Sequence, residues 1–199
     1  MIQVGLSAHD IAIEPGGTGQ LTITITNDQP NDDHVAVEIE GIDVEWYALP
    51  VPALNVAAGE SQEARVLFRI AHTSECLAGT YPFVVKGRSM ETGESGVQQA
   101  VLTIKPFSSL QIEMSPRRAA STFFRHASPI DVTVTNLGNH EETLDLYASD
   151  PEDACAYEFE TNRITVRPGL AVTVPMPGAL SSSSIRCANT SVSVSDANS

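Results

Sequence analysis

Cysteine is scarce, with three in 199 residues, at positions 76, 155 and 187. That is too few, and too scattered, for a disulfide framework or for the paired spacing of a structural zinc site. Reduced, structurally incidental thiols are the expectation; Cys155 and Cys187 fall in the same half and would pair only in an oxidising compartment. Positive charge is scarce too. Eleven Lys and Arg stand against 25 Asp and Glu, a formal net charge of −14, and such a surface repels phosphate backbones and anionic headgroups. No nucleic-acid partner is expected. No segment approaches the roughly 18 unbroken apolar residues of a membrane span, so no direct membrane insertion is expected. The first ten residues, MIQVGLSAHD, lack the basic start and apolar centre of a secretion signal, which leaves the cytoplasm as the default location.

Catalytic and metal motifs are missing as well. The five histidines, at 9, 34, 72, 126 and 140, never stand at a ligand spacing such as H-x-x-x-H. The acidic stretches 28–33 and 150–153 lack the spaced oxygen ligands and glycine of a calcium loop and read as solvated turns. The run Gly93-Glu94-Ser95-Gly96 lacks the G-x-S-x-G spacing of a nucleophile elbow and lies between two strand patterns. Arg117-Arg118, followed by Phe123-Phe124-Arg125, is the one basic and aromatic cluster; in so acidic a chain it reads as strand surface rather than an RNA patch. The sequence therefore predicts no enzyme, no catalytic residue, no cofactor and no metal.

What the chain does have is alternation. In residues 20–27, QLTITITN, Leu21, Ile23 and Ile25 alternate with threonines and stop at Asn27, the pattern of a half-buried strand. Residues 130–136, IDVTVTN, repeat it 109 positions later. The same offset carries Val35, Val37 and Ile39 onto Leu144, Leu146 and Ala148, and with one residue of slack Leu54, Val56 and Gly59 match Ile164, Val166 and Gly169. An internal repeat of one β-module follows. Pro106-Phe107 is the natural boundary, giving domains 1–106 and 107–199.

Within the first half the pattern predicts an edge strand broken into two pieces before Glu14-Pro15-Gly16-Gly17, an edge segment around residues 54–56 after the prolines at 50 and 52, and a closing hairpin around residues 91–96. Seven or eight short strands at this spacing make a β-sandwich. The expected core comprises Leu21, Ile23, Ile25, Val37, Val66, Phe68, Phe83 and Val101, with Tyr81 as a further core aromatic and Trp46 packing under the third strand. Trp46 has no aromatic counterpart near Cys155, so the second domain is expected to be the less stable.

At these residues the chain resembles a family. EPGG at 14–17, TN at 26–27, EIEGIDxxW at 38–46, AGTYPFxV at 78–85, PF at 106–107, TNxGN at 135–139, ASDP at 148–151 and VRPG at 166–169 are similar to the bacterial Ig-like modules that occur in tandem in uncharacterised surface or membrane-associated proteins. The resemblance covers the chain to about residue 178 and implies an all-β fold, two tandem Ig-like or fibronectin type III-like β-sandwiches, and no catalytic residues.

Two functional classes remain. One is a non-catalytic interaction or spacer module that binds a protein partner through sheet edges or loops. The other is an accessory carbohydrate-binding module of a larger enzyme, for which Trp46 and Tyr47 form the only candidate aromatic platform. The Ser-rich residues from about 179 onward supply at most one short strand, at 191–195. The second sandwich is therefore expected to be incomplete or altered at this edge, with an open ladder beside residues 172–176. That edge favours a homodimer through the second domain; a disordered tail and a monomer is the equal alternative.

Overall fold

The computed structural model describes residues 1–115, 130–149, 155–157, 159, 161–176, 178–180 and 191–196. The chain divides into two compact units, Met1–Phe107 and Ser108–Ser199. The first contains β1 (Ile2–Leu6), β2 (Asp10–Ile13), β3 (Thr18–Asn27), β4 (Asp33–Glu40), β5 (Tyr47–Ala48), β6 (Ala53–Val56), β7 (Ser61–Arg69), β8 (Gly79–Ser89) and β9 (Ser95–Ile104). They form two sheets, ordered β1-β3-β7-β5 and β2-β9-β8-β4-β6. The broken edge strand of the sequence is a change of sheet: β1 runs antiparallel to β3, then β2 crosses over and pairs parallel with β9. β6 is the edge strand expected around residues 54–56.

Alternation decides which side chains meet. Leu21, Ile23 and Ile25 point inward and are fully buried, as are Val66 and Phe68 of β7, whose register sets Leu21 against Val66 and Ile23 against Ala64. The opposite sheet contributes Val35, Val37, Phe83 and Val85, and the Phe68 and Phe83 rings meet edge-on with centroids 5.8 Å apart. The reading of β9 was wrong by one residue. Val101 is half-exposed on the outer face, opposite Pro82 and Asp10, while Ala100, Leu102 and Ile104 fill the core. Val101 and Leu102 are consecutive apolar residues, so the alternation there carries no phase. The phase comes from pairing, in which Ala100 opposite the buried Phe83 must share its face. The sheets approach closely at one corner, where a Cβ on Gly96 would lie 2.5 Å from the Ile2 carbonyl oxygen.

The second unit contains β10 (Leu110–Ser115), β11 (Ile130–Asn136), β12 (Glu142–Ser149), β13 (Cys155–Tyr157), β14 (Arg163–Val166), β15 (Ala171–Met176), β16 (Gly178–Leu180) and β17 (Ser191–Asp196). Its register repeats that of the first unit. Val35 pairs with Leu54 on one side and Ser89 on the other; Leu144 pairs with Ile164 and Asp196. β14-β12-β17 thus corresponds to β6-β4-β8, and β10-β11-β15 to β1-β3-β7. Even the two-residue β5 recurs: Tyr47 opposite Phe68 becomes Tyr157 opposite Gly178. Among the described residues β2 and β9 have no counterpart. Among the described residues after 180 the one strand is β17. Cys187, Arg117, Arg118, Phe123, Phe124, Arg125, His126, residues 150–153 and the side chain of Cys155 lie outside the described residues.

The repeat also has a polar core. Asn27 and Asn136 are both completely buried. The Asn27 amide donates to the carbonyls of Asn31 and Val56 at 2.8 and 3.1 Å, and Oδ1 accepts from the Gln29 N–H. The Asn136 amide donates to His140 and Val166 at 2.8 and 2.9 Å, and its Oδ1 accepts from the Gly138 N–H. In each unit one asparagine ties the end of a central strand to the following loop and to a strand of the other sheet. A buried acid follows at equivalent positions, Asp33 and Glu142; His140 Nε2 lies 3.1 Å from Glu142 Oε1.

Candidate functional site

Aspartate starts the segment that carries the two sequence candidates. Asp43 is extended, its carboxylate accepts from the Glu45 N–H at 3.0 Å, and this cap opens a single 3-10 turn over Val44–Trp46. The turn delivers Trp46 and Tyr47 in succession to the margin of one core, where each meets a different neighbour. Trp46 is half-buried at the end of the sandwich, where its ring meets Tyr81 nearly perpendicularly with centroids 4.8 Å apart. It sits at the margin of the core rather than under the third strand. Tyr81 is half-buried as well, and its hydroxyl donates to the Leu77 carbonyl at 2.8 Å. Burial first, and the neighbouring Cys76 second, push the Tyr81 phenol above its ordinary pKa.

Tyr47, opposite the buried Phe68, faces inward with it and packs against the same core. Its hydroxyl donates to the Ile39 carbonyl at 3.4 Å, and the residue lines a surface trough of 630 Å³ together with Gln20, Glu45, Leu67 and Arg69. Leu67 is the residue that sequence reasoning missed. It occupies an outward position of β7, between Val66 and Phe68 which face the core, and is 44% exposed. The signal was present as an apolar side chain on the polar phase of an alternating strand.

The trough lies where a sheet edge opens. On one side β7 pairs with β3 from Ser61 to Arg69; on the other, β5 covers only Leu67 and Phe68. From residue 61 to 66 no described strand pairs with the second side of β7. β15 has the same arrangement, with β11 on one side and no described strand on the other. Among the described residues the side of β15 away from β11 thus stands as the side of β7 away from β3 does, so an opening beside residues 172–176 would not be peculiar to the second sandwich.

A second trough, of 580 Å³, lies on the outer face of the five-stranded sheet, floored by Pro82, Val84 and Val101 and rimmed by His9, Asp10 and Glu40. His9 Nδ1 is 3.0 Å from the Gln99 carbonyl oxygen. Neither trough is lined by serine, cysteine or lysine. Among the described residues no three His, Cys, Asp or Glu side chains gather as a metal site, and no helix is long and apolar enough to cross a membrane.

No protein-family model matches the chain, and no curated protein sequence matches it. Solved structures do. A protein of unknown function from Porphyromonas gingivalis is 14% identical over 89% of this chain and 83% of its own, with a TM-score of 0.38. The E. coli chaperone DraB is 14% identical over 88% of this chain and 87% of its own, at a TM-score of 0.36. The Pseudomonas aeruginosa CupB2 chaperone is 10% identical over 94% and 98%, also at 0.36. Similarity of this degree decides nothing about partners or activity.

Proposed function

We propose that the protein is a non-catalytic Ig-like interaction module, which takes an extended segment of a partner protein against the free side of β7 and seats an apolar side chain in the trough between Tyr47 and Leu67. One observation carries the reading: a strand with unpaired backbone groups over six residues runs directly into an apolar trough. Main-chain hydrogen bonds of an added strand supply affinity, and a pocket at one position supplies specificity. Glu63 and Arg65 on the outer face of β7 and Arg69 at the trough guard the edge against indiscriminate pairing. The reading agrees with the resemblance to bacterial tandem Ig-like modules. It extends to self-pairing on the side of β15 that no described strand pairs, as a homodimer through the second domain.

The test compares partner capture by the unchanged chain, by Leu67→Glu and by Val97→Glu, the last being an exposed apolar residue of the other sheet. A partner weakened about tenfold or more by Leu67→Glu, equivalent to roughly 1.4 kcal/mol, and held normally by Val97→Glu is the expected result. A partner indifferent to Leu67→Glu sinks the assignment. If a glycan panel instead gives binding that Trp46→Ala abolishes and Leu67→Glu leaves intact, the carbohydrate reading replaces this one.

A further inference from the structure

The outer face of the five-stranded sheet in the first unit sets an apolar floor between two acids, and two rows of cross-strand neighbours build it. In one row Val101 of β9 stands opposite Pro82 of β8 and Asp10 of β2. In the other, Val84 of β8 stands opposite Gln99 of β9 and Glu40 of β4. Pro82, Val84 and Val101 therefore adjoin, and they floor the trough of 580 Å³ whose rim holds Asp10 and Glu40. Both acids are exposed, and neither has an ion-pair partner among the described residues. Lys86, the next residue of β8 on that face, lies opposite Glu38 and outside the trough, so it does not neutralise the rim. In the strand order β2-β9-β8-β4 the two acids stand three strand spacings apart, which is about 14 Å. One cation cannot reach both.

We propose that this face binds an extended basic segment of a partner protein, in which two Arg or Lys residues four positions apart flank an apolar residue. The spacing follows from the sheet. Four residues of extended chain span about 13 to 14 Å, and positions i, i+2 and i+4 point to one side. The outer two residues then bring their cations to Asp10 and Glu40, while the middle one covers Pro82, Val84 and Val101. Lys and Arg suit the place because their hydrocarbon stems lie on apolar surface while the charged heads stay in water. Arg suits it better, since its planar fork holds a carboxylate with two hydrogen bonds. A second copy is a poor occupant. Its β7 carries the same spacing in Arg65, Leu67 and Arg69, but Glu63 continues that face with an acid, and two chains of net charge −14 repel. The site reads side chains on a sheet face, so it stands or falls separately from the free edge of β7.

The probe is the labelled peptide SRTVTRS, whose binding to the full chain is followed by fluorescence anisotropy. The control peptide SRTVRTS has the same composition and charge, but its arginines, three positions apart, face opposite sides of an extended chain. The expected result is saturable binding of the first peptide and binding of the control weaker by about fivefold or more. The double substitution Asp10→Asn with Glu40→Gln should weaken the first peptide by about the same factor. Glu75→Gln with Glu91→Gln, which removes equal charge from exposed positions outside the trough, should leave its binding unchanged. Four outcomes overturn the proposal. No saturable binding below about 1 mM means that the trough holds no such segment. Equal binding of the two peptides means that net charge alone attracts them. A double variant at positions 10 and 40 that binds like the unchanged chain places the contact elsewhere. Peptide binding that falls as the chain self-associates, and is restored by Arg65→Gln with Arg69→Gln, assigns the trough to β7 of a second copy.

Discussion

A single buried asparagine in each unit does the work that a disulfide or a salt bridge does elsewhere. Asn27 and Asn136 each connect three segments through one acceptor and two donors; the bonds to the Val56 and Val166 carbonyls are buried, where an abandoned carbonyl costs about 1 to 3 kcal/mol, and those to the Asn31 and His140 carbonyls are part-buried. Asn27→Ala is expected to destabilise the first unit by about 1 to 3 kcal/mol in urea denaturation, chiefly because the buried Val56 carbonyl loses its donor. Asn27→Asp is the sharper version. It keeps the acceptor for Gln29 but points an anion at two carbonyls, and it should be no milder than alanine. A loss below about 0.5 kcal/mol for both, the ordinary range of surface substitutions, removes the asparagine from its structural role. The sequence displayed this residue only as a place where alternation stops. Burial of a polar side chain is invisible to a hydrophobic pattern, and the one clue was that the stop recurred with the same residue. Val101 and Leu67 mark the same limit from the apolar side. Where two apolar residues are consecutive, or one sits on the polar phase, the pattern yields a strand without saying which face each side chain takes.

Elements were more legible than residues. The repeated strand at residues 130–136, the edge strand before Glu14, the edge segment at 53–56 and the hairpin before residue 95 all follow from alternation punctuated by glycine and proline. The crossing of the first edge strand between sheets was not legible, because Ile2, Val4 and Ile13 are equally apolar in either sheet and only long-range pairing decides. The trough was half legible. Tyr47 stood out as an aromatic, whereas Arg69 and Leu67 become its neighbours through a register that no local pattern encodes. Cross-strand pairs on the outer faces also emerge only from register. Asp145 of β12 lies opposite Arg163 of β14, and the guanidinium grips the carboxylate with bonds of 2.8 and 2.9 Å. The Arg163 hydrogen bond, first, and its charge hold the Asp145 carboxyl below its usual pKa. A carboxylate whose folded-state pKa is depressed contributes stability that is present above its unfolded value and is lost as pH falls through the folded one. The thermal midpoint of the unchanged chain should therefore exceed that of Asp145→Asn at neutral pH. The gap should stay level down to the ordinary carboxylate range near pH 4, then close below it. A gap that persists unchanged at about pH 2 would mean that the pair contributes through packing rather than ionisation. The pair is solvent-exposed, so the midpoint difference is expected to be small.

At the scale of the whole molecule, charge and open edges pull in opposite directions. Each sandwich has a strand whose second side no described strand pairs over most of its length, β7 in the first and β15 in the second, and an uncovered edge is an invitation to pair with a like edge. Against this, two molecules that each carry a net charge of −14 repel, and the repulsion extends over roughly 10 Å at 0.1 M salt and 3 Å at 1 M. The first sandwich guards β7 with Glu63, Arg65 and Arg69, whereas β15, with sequence AVTVPM, has no charged side chain at all. Any homodimer should thus form through the second domain, be weak, and grow with salt as the repulsion is screened. Size-exclusion chromatography with light scattering should return a mass near the 21.2 kDa of one chain at low ionic strength, rising toward twice that value at high protein concentration in about 1 M salt. A chain truncated after Pro106, which retains the whole core of the first unit, should remain monomeric in both. A truncated chain that dimerises as readily as the full one moves the contact to the first sandwich. A full chain that stays monomeric at high micromolar concentration in both salts rules out self-pairing at β15 in that range, where Pro175 already removes one backbone donor from the strand.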